Sequence, residues 1–60
     1  MIDETSKTAR AAELFERGRI LQAQGDYHGA RACYEESLRL RDDEAANDAL
    51  QEVLATIGPV

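Results

Sequence analysis

The side chains able to do chemistry are few: one histidine, His28, one cysteine, Cys33, and two acidic runs, Glu35-Glu36 and Asp42-Asp43-Glu44. A thiolate beside an imidazole makes either a nucleophile and its base or half of a zinc site, and both need the two groups to converge. Five residues of helix separate His28 from Cys33 and turn them roughly 140° apart, so one chain cannot bring both to one ion. A shared metal is left only to a symmetric interface between two chains. Paired carboxylates act as acid and base when they face one substrate, whereas adjacent acids on a helix diverge, and the Asp42 run suits a helix start. No Gly-rich phosphate loop is present, no Ser or Cys has a plausible base, and so short a chain encloses no volume for a substrate. The expectation is a protein that is not an enzyme and holds no metal or other cofactor.

What remains is a set of elements built to present a surface. Sixty residues form one domain at most, here taken as 1–60, with a thin stability margin, since so short a chain hides only about 60% of its unfolded surface. A lone cysteine provides no internal disulfide, so a cytoplasmic setting is expected. There is no apolar run for a membrane and no signal-like leader, and no membrane partner is expected. The periodicity predicts an all-α chain of three helices. The first, 6–24, is capped by Ser6 or Thr5 and carries a stripe of Ala11, Leu14, Gly18 and Leu21, with Ala12, Phe15, Arg19 and Gln22 on the adjacent face. Gly25 suits a left-handed residue after that helix, and Asp26 caps the next. The second, 27–40, turns Tyr27, Ala30, Tyr34 and Ser37 or Leu38 inward, and Gly29 weakens its first turn. The third, 44–57, is capped by Asp42 or Asp43, has a stripe of Ala46, Leu50, Val53, Leu54 and Ile57, and stops at Gly58-Pro59. Glu13 with Arg17 and Glu35 with Arg39 are predicted surface pairs.

The run Leu14, Gly18, Leu21, Gln24-Gly25-Asp26-Tyr27, Ala30, Tyr34 and Leu38 to Leu40 closely resembles the signature of the tetratricopeptide repeat, over Ala11 to Glu44. The resemblance implies a helical hairpin with a third helix that caps it, and places Gly18 and Ala30 where the two axes cross. Arg17, Ser37 and Asp42 depart from the family pattern, where large apolar, alanine and proline residues are usual. In that family the first helix of each repeat lines a groove for peptides, and the matching positions are Ala12, Phe15, Arg19 and Gln22. The family's terminal-carboxylate clamp is not expected, because Phe15 and Arg19 occupy its positions.

Function then follows from a shortage of interior. A single repeat with one cap leaves apolar surface uncovered, so Phe15, Leu50, Val53 and Ile57 are expected to be partly open to a partner. Phe15 stands equally between two roles: packing on Leu50, Val53 or Leu54, or anchoring a bound polypeptide. The net charge of −5 arises wholly from Asp42, Asp43, Glu44, Asp48 and Glu52, because residues 1–41 balance seven acids with seven bases. An acidic third helix implies a basic protein or peptide as partner and excludes the clustered cations that nucleic acid requires. The leading expectation is a protein-interaction module, an adaptor or docking domain; the alternative is self-association, a homodimer formed by stacking or exchanging the third helix. A third reading takes the chain as the terminal domain of a larger protein, ending in a linker-like Gly58-Pro59.

Overall fold

The computed structural model describes residues 4–58, with side chains described from Ser6 onward. Three helices follow in order, α1 (Glu4–Ala23), α2 (Tyr27–Leu40) and α3 (Glu44–Ile57), and the described residues contain no strand. α1 is already helical at Glu4, so Ser6 lies inside the helix rather than at its cap. No residue between Glu4 and Ser6 is a helix breaker, which permits the earlier start. The Thr5 side chain and Pro59, expected as cap and stop, lie outside the described residues.

The junctions are made by local hydrogen bonds. After α1, the Gly25 amide donates to the Gln22 carbonyl (3.1 Å) and the Asp26 amide to the Leu21 carbonyl (2.8 Å), with Gly25 at φ +89°. That pair of bonds is a Schellman motif, and its left-handed residue is the reason for glycine. Asp26 then caps α2, its Oδ1 accepting from the Gly29 amide at 3.1 Å. A Cβ on Gly29 would lie 2.8 Å from Asp26 Oδ2, so this glycine, which costs helix propensity, makes room for the cap. Asp43 caps α3 by accepting from the Ala45 amide at 3.1 Å, and Gly58, at φ +93°, ends it.

α1 and α2 pack as a hairpin and α3 packs on α2, while α1 and α3 barely meet. Ala30, Tyr34 and Val53 are wholly enclosed, with Phe15, Leu21, Tyr27, Ala49, Leu50 and Ile57 packed around them. Gly18 meets the Tyr34 ring: a Cβ there would lie 2.6 Å from Tyr34 Cε1. The small residue therefore admits an aromatic ring, not just a close crossing of two backbones. Of Ser37 and Leu38, Ser37 is the buried one, and its Oγ donates to the Ala11 carbonyl at 2.9 Å, which satisfies the hydroxyl inside the hairpin.

Three expectations are corrected. Leu54 is 37% exposed, because α3 buries one flank, mainly against α2, centred on Ala46 and Val53, and Leu54 lies about 100° round from Val53. Val53 is completely buried and offers no surface to a partner. The ion pairs differ as well: Arg10 approaches Glu13 and Arg31 approaches Glu35, each at 3.9 Å, in place of Glu13 with Arg17 and Glu35 with Arg39. Exposed pairs of this kind exchange partners at little energetic difference.

Candidate functional site

Because α2 packs against both α1 and α3, and these two scarcely touch, an open groove of about 670 Å³ runs between them. Its α1 wall is Phe15, Arg19 and Gln22, spaced four and three apart beside the buried Ala11 and Gly18. The opposite wall comes from α3, where Ala45, Asp48, Ala49, Glu52 and Thr56 recur at three and four residues, one step round the helix from buried Ala46 and Val53. Tyr27 and Tyr34 of α2 form the floor.

The floor is braced against the α1 wall and the rim is charged. Phe15 and Tyr34 have ring centroids 5.7 Å apart at an interplanar angle of 45°, a tilted aromatic pair. The Tyr34 hydroxyl donates to Gln22 Oε1 at 2.8 Å, which ties floor to wall. Arg19 lies over Phe15 with its guanidinium carbon 5.9 Å from the ring centroid, within range of a cation–π contact. Burial pushes the Tyr34 hydroxyl above its ordinary pKa of 10.0; Arg19 pulls it back down, and Glu52, then Cys33 and Glu16, push it up. Arg19 and Glu52, from opposite walls, thus act in opposite directions on one floor hydroxyl.

The groove gathers only part of the expected surface. Phe15, Arg19 and Gln22 line it, and Phe15 pairs with Tyr34 and packs on the core cluster while remaining half-buried. Ala12 is exposed but lies outside the lining. Leu50 and Ile57 are half-buried against the core on the other flank of α3, and enclosed Val53 separates that flank from the groove. The α3 wall was missed from the sequence, although the spacing of Ala45, Asp48, Ala49, Glu52 and Thr56 beside the apolar stripe marks one face. Elsewhere His28 is exposed and Cys33 half-buried, and among the described residues no three metal-ligating side chains converge. No helix among them is long and apolar enough to cross a membrane.

A family model described as Tetratricopeptide repeat matches residues 11–44, which takes in α2, most of α1 and both turns. Neither the curated proteins nor the solved structures contain a match to the chain.

Proposed function

The chain belongs to the tetratricopeptide repeat family, whose repeats are generally non-catalytic protein–protein interaction modules, and from that premise we propose that the groove between α1 and α3 docks a partner polypeptide. The observation that carries this reading is aromatic lining left open: Phe15 on the α1 wall and Tyr27 on the floor stay half-buried in a groove that no described element fills. An apolar side chain of the partner seated there removes that surface from water at about 25 cal/mol per Å². Asp48 and Glu52 on the rim favour a basic residue in the partner, which steers association and makes it weaken as salt rises.

Selection from a random peptide library tests this. Recovered peptides are expected to combine a basic residue with an apolar one, and to lose affinity for a variant carrying both Asp48→Lys and Glu52→Lys. An unenriched library, or peptides indifferent to that exposed double change, refutes the groove as the docking site.

A second reading, self-association, draws on a different flank. Leu54 is 37% exposed beside half-buried Leu50 and Ile57, and the α3 acids at Asp48 and Glu52 face the groove instead. Two copies joined along that apolar edge would form a homodimer without opposing those charges. Light scattering during gel filtration over a hundredfold concentration range decides it, a monomer throughout ruling the homodimer out.

A further inference from the structure

The groove has walls of opposite charge that do not neutralise each other. Arg19 stands on the α1 wall, and Asp48 and Glu52 stand on the α3 wall, one helical turn or about 6 Å apart. None of the three takes part in an ion pair within 4.0 Å among the described residues, although all three are exposed and line the same space. The space between the walls holds the two signs apart, and Arg19 is engaged by the Phe15 face rather than by a carboxylate.

Resting on the docking reading above, we infer that the groove selects a segment of mixed charge: a polypeptide with a Lys or Arg turned to α3, a Glu or Asp turned to α1, and an apolar side chain between them against Phe15 and Tyr27. Such a segment completes both walls at once. A segment with two basic residues satisfies Asp48 and Glu52 but drives its second cation against Arg19. A doubly acidic one meets the opposite penalty on α3. Like charges brought together across an interface cost affinity as surely as opposite charges gain it, so the pattern works as a filter and also sets the direction in which the segment lies across the groove. The apolar floor supplies affinity common to all three and the rim supplies the discrimination.

The chain has two tyrosines and no tryptophan, and of the two Tyr27 is the one partly open to the groove, so intrinsic tyrosine emission reports its occupancy through Tyr27. The probes are three end-blocked peptides in one uncharged host sequence, each with a central leucine flanked by Lys and Glu, by two Lys, or by two Glu. The wild-type chain is expected to bind the Lys/Glu peptide roughly twofold to fivefold more tightly than the Lys/Lys peptide, the range for one exposed pair. Arg19→Glu should reverse that order, and Asp48→Lys with Glu52→Lys should make the Glu/Glu peptide the tightest. These side chains are exposed, and circular dichroism verifies that the variants stay helical. Equal binding of all three peptides, or a wild-type preference for Lys/Lys, overturns the mixed-charge inference and leaves docking intact. No emission change with any peptide overturns both.

Discussion

Replacing Gly18 by alanine sets two effects of known sign against each other. In an open helix the change stabilises by about 1 kcal/mol, because alanine loses less backbone freedom. Here the new methyl would lie 2.6, 2.8 and 3.0 Å from Cε1, Cδ1 and Cζ of Tyr34, three atoms of one rigid ring. Ordinary carbon–carbon contact is about 3.5–4.0 Å, so the ring must retreat by roughly 1 Å. It has little freedom to do so: Tyr34 is fully buried, tied by its hydroxyl to Gln22 and packed at a tilt against Phe15. Overpacking of this kind costs about 1–3 kcal/mol, and the upper part of that range applies where the ring is held from several sides. The expected net loss is about 1–2 kcal/mol, a large share of the roughly 3–9 kcal/mol available to sixty residues. With a urea slope near 1 kcal/mol/M, the midpoint followed by circular dichroism should fall by about 1–2 M. Gly18→Leu should prevent stable folding, whereas Tyr34→Leu made together with Gly18→Ala should lose less than the sum of the two single changes. A Gly18→Ala chain as stable as the wild type would refute the reasoning, since it would mean that the ring yields freely and propensity alone decides.

Alkaline stability should depend on Tyr34. Its hydroxyl holds its proton more tightly folded than unfolded, so the contribution is complete below the ordinary value of 10.0 and is lost as pH rises through the raised folded value. The urea midpoint should therefore fall above that pH more steeply in the wild type than in Tyr34→Phe. Asp26→Ala should cost about 1 kcal/mol by freeing the Gly29 amide. Gly29→Ala should not stabilise the wild type, where the methyl meets Asp26, yet should regain up to about 1 kcal/mol in the Asp26→Ala background; equal effects in both refute the steric account. Ser37→Ala should lower stability by about 1 kcal/mol through loss of the buried bond to the Ala11 carbonyl, and an unchanged urea midpoint would show that this bond contributes nothing net.

By itself the sequence determined most of what acts within a turn or two of chain, the start of α1 and the choice of surface ion pairs excepted. The left-handed Gly25, the Asp26 and Asp43 caps, the terminating Gly58 and the inward faces of α1 and α2 all rest on bonds or periodicities spanning a few residues, and so they are legible without a partner element. Tertiary structure decided which of two neighbouring residues wins a place. Val53 is enclosed and Leu54 exposed, Ser37 lies deeper than Leu38, and Gly18 receives the Tyr34 ring, because the angle at which one helix meets another selects between positions 100° apart. The groove belongs to the second kind. Phe15, Arg19 and Gln22 were marked by their face, but Asp48 and Glu52 join them only because α2 spaces α1 from α3, a separation set by packing between helices distant in sequence.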